Sequence, residues 1–312
     1  MPQAAVRECI LPSWIARDPV SLALLTQVRR VASSRSSLLI IGEPGVGKDL
    51  LASVIHYLGR VPEAPLLRVD CAAFPSPVLD GELFGRDIST TVHACRGRIE
   101  LAGHGTLVLD EIGALSLPLQ LRVLRAIEEG RFQSNGDLRF VPTNARLLAL
   151  TTNDLQQAVA MGSFREDLYY RLAVVPLVVP PLRQRLGDVA ALAEHFLDRA
   201  CRLHHRSPLR FSRSAMARLE SYAWPGNVSE LRALVERLAS SGKDEIKPED
   251  LPAHIGRTET TAVQPRGSLE ELERSYIAQV LDFTRGRKGA AAGILGISRK
   301  TLLEKRKRYG LT

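Results

Sequence analysis

Eight residues in a row, Gly42, Glu43, Pro44, Gly45, Val46, Gly47, Lys48 and Asp49, read GEPGVGKD. Glycines at this spacing let successive backbone N–H groups turn inward to meet phosphate oxygens, and the lysine that follows reaches the outer phosphates. The run sits between the apolar SLLII and the helical KDLLASVIHYLG. A buried strand therefore delivers the turn, and a helix N-terminus adds its positive end to it. A plain tight turn accounts for the glycines but not for the lysine or this setting. Asp49 stands where a serine or threonine ordinarily meets magnesium. The second half of the chemistry is LVLDEI, residues 107–112. An apolar strand ending in two acids exposes carboxylates at the C-terminal edge of a sheet, where Asp110 can hold hydrated Mg2+ and Glu111 can orient or deprotonate an attacking water.

Such groups need elements to position them. Short apolar runs at 65–71, 105–111, 145–153 and 174–182 follow the first strand, and helical patterns separate them, including PLQLRVLRAIEEG at 118–130. Strands alternating with helices predict an α/β fold with a mostly parallel sheet covered on both faces. From residue 187 to about 254 the pattern is helical, broken at WPGN (224–227), and the polar GRTETTAVQPRGS at 256–268 reads as a linker. The expected division is an N-terminal extension 1–17, a nucleotide-binding domain 18–186, an all-α lid 187–255, the linker, and a small helical domain 269–312.

Composition fits a globular chain. Of 312 residues 45% are hydrophobic and 24% charged, and no apolar run reaches the length a membrane span needs. Cys9, Cys71, Cys95 and Cys201 are scattered without a CxxC pair, which reads as reduced structural thiols in a cytoplasmic protein. CRLHH (201–205) lacks a further ligand at metal-like spacing and reads as a helix face. Charge is more telling. The net charge is +8; residues 285–312 hold nine basic side chains and one acidic, whereas residues 1–284 balance at 33 and 33. A neutral body with a basic end is the electrostatic footprint of a nucleic-acid binder.

The stretches GEPGVGKD, ELFG, GRIELAGHGTLVLDEI, LRVLRAIEEGRF, FREDLYYRLAVVPL, PPLRQR and WPGNVSELRALVER, in that order over residues 18–255, resemble the AAA+ domain of sigma-54-dependent transcription activators. The resemblance implies a ring-forming P-loop NTPase using ATP and Mg2+. It makes Arg165 and Arg171 fingers that reach a neighbouring subunit's nucleotide, and Asn153 a sensor of the γ-phosphate. An acidic residue at position 49 is usual in that family.

Three departures from the family pattern cluster on coupling. Where the family has a GAFTGA-type loop, which carries force to sigma-54, this chain has RDISTTVHACR (86–96), shorter and without aromatic or glycine. Asp70 replaces the usual asparagine thought to restrain the catalytic glutamate, and as a carboxylate it is expected to repel Glu111. Ser229 replaces the lid's sensor arginine. The binding residues survive, so ATP binding is expected to outlast efficient hydrolysis.

The basic end, KGAAAGILGISRKTLLEKRKRYGL (288–311), has the rhythm of a helix-turn-helix. Ala291, Ala292 and Leu295 make a small apolar face, Gly296 allows the turn, and Ser298 caps the next helix. That helix is expected in the major groove, with Arg299 and Lys300 nearest the bases and Lys305, Lys307 and Arg308 on phosphates. The unit resembles the Fis-type domain that ends these activators, although Glu304 and Arg306 depart from its usual residue types.

Three functions compete. The first is a regulator binding double-stranded DNA and ATP that does not remodel sigma-54 polymerase alone: a repressor, a factor acting on another holoenzyme, or a member of mixed rings with an intact relative. The second is a working sigma-54 activator with a diverged loop. The third is a non-transcriptional AAA+ remodeller, which the basic end disfavours. With about 20 residues ahead of the ATPase pattern, no receiver or ligand-sensing domain is expected, leaving control to abundance, a partner protein or nucleotide.

Overall fold

The computed structural model describes residues 14–85, 96–135, 140–204, 207–240 and 244–255. Of the C-terminal stretch it describes residues 273, 274, 276, 277, 280, 281, 284 and 288–309. The segment RDISTTVHAC, on which the missing-loop reading turns, and the linker lie outside the described residues.

The first helix, α1 (Pro19–Ala32), leads into β1 (Leu38–Ile41), the Gly-rich turn and α2 (Lys48–Tyr57). Then come β2 (Leu66–Asp70), α3 (Ser76–Phe84), α4 (Arg98–Ala102), β3 (Thr106–Asp110), α5 (Leu117–Glu129) and a hairpin of β4 (Arg131–Gln133) with β5 (Phe140–Pro142). β6 (Arg146–Thr151), α6 (Leu155–Ala160), α7 (Glu166–Leu172) and β7 (Pro176–Val178) complete the α/β part. Five strands form one parallel sheet in the order β2-β3-β6-β1-β7.

The apolar runs belong to a sheet buried on both sides. Leu38, Ile40, Val108, Leu148 and Leu150 point into one core with α1 and α2. Their neighbours Leu39, Leu107, Leu109, Leu147 and Ala149 point into the other, beneath α3, α4, α5 and α7. Alternate residues of a strand face opposite ways, so a strand between two helical layers must be apolar throughout.

The lid follows: α8 (Val189–Leu203), β8 (Arg210–Phe211), α9 (Arg213–Ser221), α10 (Asn227–Ala239) and β9 (Glu245–Ile246). Trp224 is fully buried at its centre and donates from Nε1 to the Leu219 carbonyl at 2.9 Å. The break at WPGN is real: Trp224 and Asn227 take positive φ, 51° and 53°. The lid is not helical throughout, because β8 pairs with β9 in parallel. Two residues per strand leave no period to read. The β4–β5 hairpin escaped for the same reason.

Asp188 ties the lid to the start of the chain. It is fully buried, accepts from the backbone N–H of Arg17 at 2.6 Å and of Asp18 at 2.8 Å, takes the Ser21 hydroxyl, and faces Arg185 at 3.8 Å.

By its contacts the chain separates into two compact units, dividing after residue 257. In the second, α11 (Lys288–Ile294) and α12 (Arg299–Tyr309) flank a turn in which Gly296 has φ +65°. Ser298 accepts from Thr301 N–H at 3.1 Å, the expected helix cap. Ile277, Val280, Leu281, Ala291, Ala292, Leu302 and Tyr309 form its core.

Candidate functional site

β1 ends at the Gly-rich turn, where Gly45 and Gly47 take φ of +76° and +101°, a region that a Cβ penalises. A Cβ on Gly45 would lie 2.6 Å from the Gly226 carbonyl and 3.0 Å from Ser229. Ser229 N–H also donates to Gly45 O at 3.2 Å. The N-terminal end of α10 is thus packed on the phosphate turn itself. Lys48 folds over the turn, donating to the carbonyls of Gly42 at 2.9 Å and Glu43 at 3.3 Å, with Glu111 3.9 Å away. Burial pulls its pKa below the ordinary lysine value, against the pull of Glu111, Asp110 and Asp49.

β3 delivers Asp110 and Glu111 to the same sheet edge. One nitrogen of Arg68, Nη2, bridges Asp110 Oδ2 at 2.5 Å and Asp49 Oδ1 at 2.9 Å. Burial raises the Asp49 carboxyl above its usual range, while Arg68 and Lys48 pull it down. The cation between these two carboxylates is thus a tethered guanidinium. Glu111, with φ +48°, is held by the Thr152 hydroxyl at 2.9 Å and the Thr152 N–H at 3.1 Å. Asn153 is exposed beside it and donates its N–H to the Thr151 hydroxyl at 3.1 Å. Asp70 folds back on its own backbone and accepts from Ala72 N–H at 2.9 Å. The side chain that holds Glu111 is Thr152. Cys71 behind them is buried, and burial together with the nearby acids pushes its thiol up to about 12, leaving it inert at neutral pH.

Glu43 faces the lid. Arg183 grips its carboxylate at 2.5 and 2.7 Å, Asn227 Nδ2 donates to it at 3.1 Å, and these bonds hold its pKa down to about 2. Asn227 also donates to the Pro44 carbonyl at 3.0 Å and accepts from Leu182 N–H at 2.8 Å. That fully buried asparagine staples lid to turn.

Between turn and lid lies a cavity of about 430 Å³, lined in part by Trp14, Gly45, Gly47, Arg185, Phe196 and Arg232. Trp14 Nε1 and Arg185 Nε, in two of the residues that line it, are buried and have no partner. Arg185 spends its other nitrogens on the Val46 carbonyl, at 2.7 Å, and on Asp188. A slot of mixed apolar and basic lining beside the Gly-rich turn has room for the flat base of a nucleotide.

Known proteins agree. Residues 14–178 match the model for the Sigma-54 interaction domain, residues 183–268 the AAA+ ATPase lid domain, and residues 268–309 the Bacterial regulatory protein, Fis family. The chain belongs to the sigma-54-dependent transcription regulators. It is 37% identical to Regulatory protein AtoC of Escherichia coli K12, over 98% of this chain and 70% of that protein. It is 38% identical to Nitrogen fixation protein AnfA of Azotobacter vinelandii, over 99% of this chain and 60% of that one. Among solved structures, NtrX from Brucella abortus in complex with ADP superposes with a TM-score of 0.74 at 29% identity, over 99% of this chain and 72% of NtrX. NtrX in complex with ATP gives 0.72.

In this sigma-54 regulator the two arginines that the resemblance implies as fingers lie apart from the phosphate turn in sequence and differ in surroundings. Arg165 is paired with Asp167 at 2.6 Å, and Arg171 lines a different cavity. In the Fis-type unit, Lys305 Nζ lies 2.5 Å from Glu273, and Tyr309 donates to the same carboxylate at 2.6 Å. Lys305, read from sequence as a phosphate contact, is thus engaged inside its own domain. The guanidinium of Arg299 lies over Gly289 of α11, within 2.3 Å of where a Cβ there would stand. Gly289 thereby leaves room for Arg299, and a side chain there would push it away. Lys300 and Lys307 are exposed on α12.

Sequence reasoning missed Trp14, Arg68, Thr152, Arg185 and Asn227. Arg68 alone left a trace: it shares a strand face with Asp70, which is paired in register with Asp110.

Proposed function

We propose that this chain is a DNA-bound, ATP-binding transcription regulator whose hydrolysis, and with it remodelling of the sigma-54 holoenzyme, is weak or depends on an intact relative in a mixed ring. The supporting observation is an asymmetry within one site. The phosphate turn and the slot beside it are open and supplied with donors, while Asp110 and Asp49 are tied up by Arg68. Backbone N–H groups of residues 45–48 and the Lys48 ammonium would hold the phosphates of ATP, and Trp14 and Arg185 its base. Bound Mg2+ would neutralise charge on the phosphates, with Asp110 as its protein anchor. Glu111, held by Thr152, orients a water and takes its proton. Arg165 and Arg171 would act from a neighbouring subunit, as the family resemblance implies, and a finger in trans is worth about 10³–10⁵ in rate. Ser229 places no charge at the turn, and the segment 86–96 has no aromatic tip to insert into a partner.

A second reading, a working sigma-54 activator, draws on the intact Asp110–Glu111 pair and the held carboxylate of Glu111. Transcription from a sigma-54 promoter with purified protein, holoenzyme and ATP decides between them. Absence of open complexes is expected, and robust melting supports the second reading.

Nucleotide binding has an internal reporter. Of the two tryptophans, Trp224 is fully buried and hydrogen-bonded, whereas Trp14 lines the slot. ATP is expected to change the emission saturably. Trp14→Phe should abolish the change and weaken binding about fivefold, the worth of one lost ring contact and donor. An unchanged signal in Trp14→Phe would place the base elsewhere.

On DNA, Arg299→Ala should lower affinity for the specific site and Lys307→Ala should weaken all sequences and reduce the salt slope by about one. Lys305→Ala should instead lower the melting temperature of the domain, because it strips Glu273 of its ammonium partner. Gel-shift titrations at several salt concentrations, with thermal melts alongside, test all three. Equal effects of Lys305→Ala and Lys307→Ala on the salt slope would overturn the assignment.

A further inference from the structure

The structure assigns Asn227 as a positioning residue for phosphate: with its neighbours it holds the Gly-rich turn in a phosphate-binding shape before any ligand arrives. The inference rests on the reading of that turn as the place where the phosphates of ATP lie.

Every carbonyl from Gly42 to Val46 is answered by a donor. Lys48 Nζ donates to Gly42 O at 2.9 Å and to Glu43 O at 3.3 Å. Asn227 Nδ2 donates to Pro44 O at 3.0 Å, Ser229 N–H to Gly45 O at 3.2 Å, and Arg185 Nη2 to Val46 O at 2.7 Å. Three consecutive carbonyls are thus held by groups far along the chain, and Arg183 with Asn227 holds the Glu43 side chain as well. The N–H groups of Gly45 and Gly47 donate to no acceptor among the described residues. A turn with its carbonyls occupied and its N–H groups free is shaped for an anion.

Holding matters because three glycines in six residues leave the backbone many alternatives. Ordering such a segment opposes binding, and bonds that order it beforehand strengthen the binding. Asn227 is suited to this. It is fully buried, and its φ of 53° lies in the left-handed region that asparagine tolerates better than most residues. Its N–H donates to Trp224 O at 2.8 Å, and its Oδ1 accepts from Leu182 N–H at 2.8 Å. With those two groups anchored, Nδ2 is left to face the turn. Lys48 is also the group that reaches the phosphates. Once it turns to them, the bonds from residues 185, 227 and 229 are what keep the turn in shape. Such a turn should take a phosphate chain that carries no base.

The test uses the full chain with ATP and sodium tripolyphosphate as probes, titrated calorimetrically well below the melting temperature. The parent should bind both saturably. Asn227→Gly removes the side chain and keeps the backbone, since glycine adopts positive φ freely. It should weaken ATP and tripolyphosphate by the same factor, about tenfold, the effect of losing two hydrogen bonds to the turn, one of them to a carboxylate. A purely structural asparagine would lower the melting temperature and leave both affinities of the folded chain unchanged. If Asn227→Gly does not fold, Asn227→Asp decides. It still accepts from Leu182 but donates nothing to Pro44 and sets a second charge against Glu43, so both affinities should again fall about tenfold or more. Unchanged affinities in the variant, a loss for ATP that tripolyphosphate does not share, or a parent that binds ATP but not tripolyphosphate would each overturn this role and leave the nucleotide reading standing. A parent that binds neither probe would overturn both.

Discussion

Replacing Arg68 by alanine is expected to raise the affinity of the chain for a divalent cation about tenfold. Asp110 and Asp49 sit within hydrogen-bond reach of one guanidinium nitrogen, at 2.5 and 2.9 Å, so any metal ion arriving at Asp110 must first displace a charge already there. Arg68 is half exposed, so the pair with Asp49 is a screened surface pair, worth at most about 1 kcal/mol. Asp110 is better shielded, and a hydrogen bond to a charged group in such a place is worth about 1.5–3 kcal/mol. Taking the lower end of that range, and nothing for the screened pair with Asp49, losing Arg68 amounts to roughly 1.5 kcal/mol, or about tenfold. Manganese binding followed by electron paramagnetic resonance, without nucleotide, reads the effect directly. Arg68→Lys should fall between the two, since a flexible ammonium bridges two carboxylates less well than a planar fork. An unchanged manganese affinity in Arg68→Ala would mean that the bridge does not hold the site closed.

Asp188→Ala should cost about 3–5 kcal/mol of unfolding free energy, the usual consequence of removing one partner of a buried charged pair. The carboxylate is fully buried, accepts from three donors, the backbone N–H groups of residues 17 and 18 and the Ser21 hydroxyl, and faces the Arg185 guanidinium at 3.8 Å. Alanine leaves the two amides and the 2% exposed Arg185 without their acceptor, and each unsatisfied donor carries its own desolvation cost. Asp188→Asn should cost less, because an amide oxygen still accepts while the charge opposite Arg185 is lost. Denaturant midpoints of the three proteins measure the order. Because Arg185 also anchors the Val46 carbonyl of the phosphate turn, Asp188→Ala should weaken nucleotide binding as well as stability. A loss below about 1 kcal/mol would contradict the role given to Asp188.

What could be read in the sequence follows from what leaves a period or a motif. The central strands β1, β3 and β6 were legible because both faces of each are apolar, and the runs around Leu39, Leu107 and Leu148 carry no polar interruption. The phosphate turn was legible because backbone φ, and not a partner elsewhere in the chain, sets its glycines. Thr152, Asn227 and Arg185 were not, since each acts across more than 40 positions, on Glu111, on Glu43 and on Val46. Nothing local distinguishes such a residue from a surface polar group. Asp70 shows the converse: its type implied a conflict with Glu111, while its bond from the Ala72 N–H left no mark in the sequence. The lid strands Arg210–Phe211 and Glu245–Ile246 are too short for any pattern. Lys305 looked free because its partner, Glu273, lies 32 positions earlier.

The central claim is that the fuel site binds but turns over poorly by itself. Its most direct test is ATP turnover across a wide range of protein concentrations, with binding followed on the same samples through Trp14. The account predicts saturable ATP binding with turnover close to background at every concentration. A turnover that climbs steeply as the protein assembles would contradict it.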